Sequence, residues 1–221
     1  MRKDLQIKID RSITILKKME PIALKYRPEG FIGAFSGGKD SQVIRQLLNM
    51  AEVAHTMKYQ WTTIDPPEVY RFIIEQYPDV VIERPKESFW RLCYRHGILP
   101  TQYKRFCCRE LKESRDYNCV TVTGVRAAES YRRKTRQEVE IQTRRRHPDY
   151  VRGTLDEFNM YKETHVDCIQ GKDKLIVNPI IDWTEEGVWD CLGYMDLPSC
   201  ELYARGYTRV GCLFCPMASR R

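Results

Sequence analysis

The stretch that most constrains this chain is Phe31 to Ser41, FIGAFSGGKDS. Phe31 to Phe35 is a short apolar run of the length that forms a buried parallel strand. It breaks into Ser36-Gly37-Gly38-Lys39-Asp40-Ser41. Val43, Ile44, Leu47 and Leu48 then recur at helical spacing and predict a helix over 41–51. Strand, Gly-rich turn and helix in this order aim backbone N–H groups and a positive helix end at an anion. Gly37 and Gly38 permit positive φ and close approach of the main chain to a phosphate. Lys39 adds a mobile positive charge. An isolated SGG tripeptide is usually a turn between two core elements, but the whole SGGKDS string after a strand favours a phosphate binder. Gly33 to Lys39 also fits G-x-x-x-x-G-K, yet Asp40 stands where a Walker loop needs Ser or Thr for Mg²⁺. A Walker NTPase is therefore rejected.

The other segments extend the pattern. Residues 4–26 read as a helix with Ile9, Ile13, Leu16 and Met19 on one face and Pro21 as a kink or break. A second strand is expected within 53–63. Pro66-Pro67 opens a helix carrying Val69, Phe72, Ile73 and Tyr77. Val80 to Ile82 reads as a third strand, and Ser88 caps a helix that Gly97 closes. Cys119 to Thr123 and Leu175 to Val177 read as further strands. Asp182-Trp183-Thr184 caps a helix over Glu185 to Leu192, with Glu185 and Glu186 in its first turn. Alternating short strands and helices predict an α/β protein with a three-layer parallel sheet. Ligands of such sheets bind beyond the carboxyl ends of the strands, where SGGKDS, Thr62 to Asp65 and Gly124-Val125-Arg126 fall. The polar residues 144–172 read as a surface excursion.

At 221 residues the chain has the length of a single domain, divided as an N-terminal helical segment (1–27), a main domain (28–217) and a short tail (218–221). No apolar run approaches the roughly 20 residues of a membrane span, and MRKDLQIKID lacks a signal-peptide core, so a cytoplasmic protein is expected. Nine cysteines in a reducing compartment argue against a disulfide framework and towards metal or redox chemistry. Adjacent Cys107 and Cys108, with Cys212-x-x-Cys215 much later, suit a tetrahedral Zn²⁺ or an iron–sulfur cluster. Neighbouring cysteines are awkward on one Zn²⁺ but reach different irons of a [4Fe–4S] cube, which makes the cluster the favoured reading. Cys93, Cys119, Cys168, Cys191 and Cys200 read as small buried hydrophobes. The net charge of +7 favours acidic partners. The basic run from Arg132 to Arg146, including Arg133, Lys134, Arg136, Arg144 and Arg145, reads either as a solvated face or as a nucleic-acid groove with Tyr131 and Tyr150 as stacking groups. His55, His96, His147 and His165 show no pairing pattern.

SGGKDS resembles the PP-loop of ATP pyrophosphatases and the related sulfonucleotide reductases. CC followed distantly by CxxC resembles the cluster signature of iron–sulfur sulfonucleotide reductases. With TTIDPPE (62–68), RFCCRELKE (105–113), TGVRAAES (123–130), NPIIDW (178–183) and GYTRVGCLFCPM (206–217), the resemblance extends over about residues 28 to 217. The chain is similar to the phosphoadenosine phosphosulfate (PAPS) reductase family, in a branch like the ATP-pyrophosphatase components of DNA phosphorothioation systems.

The resemblance implies an adenine nucleotide α-hydrolase-like fold and an enzyme that holds ATP, or PAPS, at its α-phosphate. It implies nucleotide contacts from Ser36, Gly37, Gly38, Lys39, Asp40, Ser41, Thr62, Thr63, Asp65, Gly124 and Arg126. Lys39, Asp40 and Arg126 would carry catalysis. Arg126 suits charge developing on phosphorus. Asp40 and Asp65 are candidate Mg²⁺ or ribose contacts, although Asp65 equally suits a helix cap. Cys107, Cys108, Cys212 and Cys215 would hold the cluster, and a cysteine desulfurase-like sulfur donor or thioredoxin would be the protein partner. The Glu-Cys-Gly motif of true reductases has no match here. Either that tail lies outside this sequence or the reductase chemistry is absent, and with the ATP-type loop this moves the expectation towards ATP.

Overall fold

The computed structural model describes residues 3–113, 115–142, 152–153 and 174–218. The chain divides into two compact units. The first comprises Met1–Ala34, Lys39–Met57 and Asp116–Pro198, and the second Phe35–Gly38, Lys58–Arg115 and Ser199–Arg221.

In the first unit, α1 (Lys3–Tyr26) buries Leu5, Ile9, Leu16, Met19, Ile22 and Ala23 along one stripe. Pro21 lies inside this helix without ending it, so of the expected kink or break the break does not occur. An interior proline costs about 3 kcal/mol. Burial of Ile22 and Ala23 immediately beyond it offsets that penalty. Strand β1 (Phe31–Phe35) leads to α2 (Lys39–Met50), which starts earlier than the hydrophobic spacing predicts. Lys39, Asp40 and Ser41 thus form its first turn. β2 (His55–Gln60) begins in this unit, and β4 (Val120–Val122) follows later in the chain. β5 (Val139–Gln142), β6 (Arg152–Gly153) and β7 (Lys174–Val177) complete its strands. Helix α6 (Glu185–Tyr194) is capped by Thr184, whose Oγ1 accepts from the Gly187 N–H at 3.1 Å. It packs on α2.

The second unit holds the end of β2 and its parallel partner β3 (Val81–Glu83), in register Lys58↔Val81. Pro67 occupies the first position of α3 (Pro67–Gln76). In α4 (Phe89–His96) the Ser88 hydroxyl accepts from the Arg91 N–H, and Gly97 closes the helix in the left-handed conformation. A single turn, α5 (Phe106–Cys108), runs into a π-turn at Arg109–Glu113. α7 (Glu201–Ala204) is also a single turn. Ile64, Phe89, Leu92, Cys93, Phe106 and Leu111 form the core.

The strand order is β3-β2-β1-β4-β7-β5-β6. β1, β4 and β7 are parallel, with Ile32↔Thr121 and Val122↔Val177 in register. The sheet is nevertheless mixed, because β5 runs antiparallel to both β7 and β6. Val139 and Ile141 alternate with Glu138, Glu140 and Gln142, a period-2 signal too short, inside a charged stretch, to mark a strand by itself. Cys93, Cys119, Cys191 and Cys200 are buried, as expected of small hydrophobes. Among the described residues no helix is long and apolar enough to cross a membrane. Arg144, Arg145, Arg146, His147, Tyr150, His165 and Cys168 lie outside the described residues.

Candidate nucleotide and thiol sites

Two charged constellations stand at strand ends. In the first unit, Lys39 and Arg126 are 1% and 2% exposed. The Arg126 guanidinium donates from Nε to Asp40 Oδ1 at 2.6 Å and from Nη2 to Glu185 Oε2 at 2.5 Å. Lys39 Nζ lies 3.0 Å from Glu185 Oε1 and 3.9 Å from Asp40 Oδ2. Two buried cations and two carboxylates therefore form one network, as burial of charge demands. Lys39 is not the mobile cation expected from its loop position. The first turn of α2 fixes its backbone, Glu185 holds its head, and the Trp189 ring lies 5.8 Å away.

Gly124 explains how Arg126 comes so close. A Cβ there would sit 3.0 Å from Asp40 Cβ and 3.1 Å from the Asp40 carbonyl oxygen, so only a bare backbone lets the β4 loop rest on α2. Glu129 accepts from the Arg126 N–H at 3.2 Å. Glu185 was not singled out by its sequence, where it reads as an ordinary first-turn acid. Burial pushes its carboxyl up, but hydrogen bonds from Lys39 and Arg126 outweigh this and hold it below the usual range. Arg133 pairs with Glu129, and Arg136 with Glu140. Both cations are thus engaged locally, while Lys134 and Tyr131 are exposed.

Within the glycine turn, Gly37 has φ +70°, and a Cβ there would meet Ile73 at 3.0 Å and Val69 at 3.1 Å. Gly38 does not take a positive φ. Ser41 is buried and Ser36 exposed.

In the second unit, the turn after β2 is held by Asp65, whose Oδ2 accepts from the Thr62 N–H at 2.8 Å. Asp65 does not cap α3, where Pro66 takes the cap position. Thr63 has φ +67°, and its hydroxyl accepts from the Phe89 N–H at 2.9 Å. The Leu213 N–H donates to the Ile64 carbonyl at 2.8 Å and ties the C-terminal knuckle to this turn. Thr62 Oγ1 then lies 3.4 Å from Cys212 Sγ.

Cys107, Cys108, Cys212 and Cys215 line one open pocket, walled by Ile64, Phe89, Leu111 and Phe214. Lys112 also lines it. Burial lowers the Lys112 pKa, but the negative charges of Cys212 and Asp65 outweigh it and raise the ammonium above its ordinary value. Arg105 donates to Cys108 Sγ at 3.4 Å. Burial first, then the neighbouring Cys108, pushes the Cys107 thiol up to about 11. Burial likewise raises Cys212, against the pull of Lys112. Lys112 was legible only in hindsight, as a cation four residues after Cys108. His96, which the sequence gives no role, lies 2.8 Å from Glu110 and stacks on Phe106. Among the described residues no three His, Cys, Asp or Glu side chains form a group that could hold a metal ion.

A glycine turn leading from a parallel strand into a helix is the arrangement of an open α/β protein, whose ligands bind beyond the carboxyl ends of the strands. Residues 31–218 match the phosphoadenosine phosphosulfate reductase domain, and the chain belongs to that family. An uncharacterized protein of Methanocaldococcus jannaschii is 25% identical over 211 residues, 94% of this chain and 46% of that protein. An adenosine 5'-phosphosulfate reductase of Burkholderia cepacia is 49% identical over 43 residues, 20% of this chain and 17% of that protein. The chain thus spans less than half the length of these curated relatives.

Two solved structures share the fold. PAPS reductase from Candida auris has a TM-score of 0.56 at 17% identity, covering 92% of this chain and 93% of that one. FMN adenylyltransferase from Candida glabrata, solved with FMN and an ATP analogue, has a TM-score of 0.58 at 15% identity, covering 95% and 64%.

Proposed function

We propose that this chain is a PP-loop enzyme that binds ATP, cleaves it at the α-phosphate with release of pyrophosphate, and supports sulfur transfer. The observation that carries the reading is the pair of buried cations, Lys39 in the first turn of α2 and Arg126 after β4, held in one network. Preorganised cations are the groups that stabilise charge on a departing pyrophosphate. An acceptor oxygen attacks the α-phosphorus, the bond to the bridging oxygen breaks, and pyrophosphate leaves with both electrons. A sulfur nucleophile then displaces AMP from the adenylated acceptor. Asp40 is the candidate Mg²⁺ contact, and the ion would neutralise phosphate charge when bound. Ser36, Gly37, Gly38 and Ser41 would supply the remaining contacts to the polyphosphate.

Cys107, Cys108, Cys212 and Cys215 are the proposed holders of a [4Fe–4S] cluster. Four thiols around one pocket support this reading, and adjacent Cys107 and Cys108 reach different irons of a cube more readily than they share one Zn²⁺. When bound, the cluster would activate or relay sulfur. Lys112, Arg105 and Thr62 provide hydrogen bonds to the cysteine sulfurs from this chain's own residues. The sulfur would come from a cysteine desulfurase-like donor. Anaerobically purified protein should release pyrophosphate from ATP in the presence of acceptor, and Lys39→Met or Asp40→Asn should abolish it. Silence with every acceptor tried would sink this reading. Family membership favours one alternative, reduction of PAPS or adenylylsulfate to sulfite with thioredoxin as reductant. Sulfite production would establish it.

A further inference from the structure

Glu185 differs from its partners in one respect. Its side chain is 53% exposed, whereas Lys39 and Arg126 are almost wholly buried. Its two oxygens are divided between the cations, Oε1 to Lys39 and Oε2 to Arg126, the same bridging contact that two oxygens of a phosphate would make. Asp40, the other carboxylate, is 20% exposed and lies on α2 beside Lys39. The exposed member of the network can rotate into water about its own side-chain bonds, while the buried cations have no such freedom. A phosphate arriving with Glu185 in place would stand against two carboxylates.

We propose that Glu185 is an intramolecular competitor for the phosphate position, a stand-in anion that every incoming phosphate must displace from Lys39 and Arg126. This rests on the reading of those two cations as the phosphate grip. Only molecules whose Glu185 has swung out are competent to bind. The apparent affinity for any phosphate ligand therefore falls by one common factor, the competent fraction. Weak, abundant anions such as orthophosphate are kept out at their ordinary concentrations. A polyphosphate, with more oxyanions to engage the backbone N–H groups at the start of α2, still binds.

The test is calorimetric titration of the full chain with pyrophosphate and, separately, orthophosphate in metal-free buffer. Wild type, Glu185→Gln, Glu185→Ala and Lys39→Met are compared, with a melting curve for each. Both Glu185 variants should bind pyrophosphate about tenfold more tightly than wild type, from the loss of two partly exposed ion pairs. Orthophosphate should gain by the same factor. A gain that grows with ligand charge would mean that Glu185 stays in place and repels from a distance, which overturns the proposal. So would unchanged or weaker binding by both variants. If Lys39→Met binds pyrophosphate as well as wild type does, or neither wild type nor the Glu185 variants bind it, the phosphate-grip reading fails and this proposal with it. If Lys39→Met loses binding while the Glu185 variants gain nothing, the competitor alone fails.

Discussion

Replacing Arg126 with Met tests whether the buried network exists as described. The guanidinium is 2% exposed and makes two charge-assisted hydrogen bonds, to Asp40 and to Glu185. The bond to Glu185 counts for little in stability, since that carboxylate is half exposed and keeps Lys39 at 3.0 Å; about 0.5 kcal/mol is a fair figure. The bond to Asp40 is short and shielded, and losing it costs about 2–3 kcal/mol. Packing by the Met side chain returns about 1 kcal/mol. The net loss is about 2 kcal/mol, or a melting temperature lowered by about 4–8 °C for a chain of this size. Thermal unfolding followed by circular dichroism reads this directly. Arg126→Lys, which reaches only one of the two carboxylates, should fall between. A Met variant that melts within about 1 °C of wild type would refute the network, because a largely shielded carboxylate cannot lose such a partner without penalty.

Other consequences are as direct. Gly37→Ala forces an L side chain to φ +70° against Ile73 and Val69 and should cost about 1–2 kcal/mol, read as a lower urea midpoint. Burial raises the Glu83 carboxyl, but hydrogen bonds from Lys58, Gln60 and Arg115 outweigh it and hold the group below its ordinary 4.5. Its contribution is therefore present above that value and lost as pH falls through the lower folded value. Glu83→Gln should accordingly flatten the stability profile below about pH 4.5. If the four pocket thiols hold a cluster, Cys107→Ser or Cys215→Ser should lower the iron content of anaerobically purified protein. Cys191→Ser, at a buried position on α6, should leave the iron content unchanged.

The parts legible in the sequence are those set by local chemistry. Ser88, Gly97, Pro67 and Thr184 mark helix ends through caps and fixed dihedrals that need no distant partner. β1 and β7 announce themselves as apolar runs. What stayed hidden depends on partners far along the chain. Glu185 looks like any first-turn acid until Arg126 and Lys39 are placed beside it, 59 residues away in the first case. Lys39 looks mobile until its burial is known. β5 carries polar residues, Glu140 and Gln142, at alternate positions, and Glu140 is a buried polar group bonded to Asn178 and Arg136. Pro21 fails to break α1 because the burial that follows it is tertiary.

The most direct measurement on the proposed function is paired turnover with anaerobically purified protein, given ATP in one reaction and PAPS in the other. Pyrophosphate and sulfite are followed in wild type and in Lys39→Met. The expected result is pyrophosphate from ATP in the wild type only, with no sulfite from PAPS. Sulfite from PAPS without pyrophosphate from ATP would contradict it.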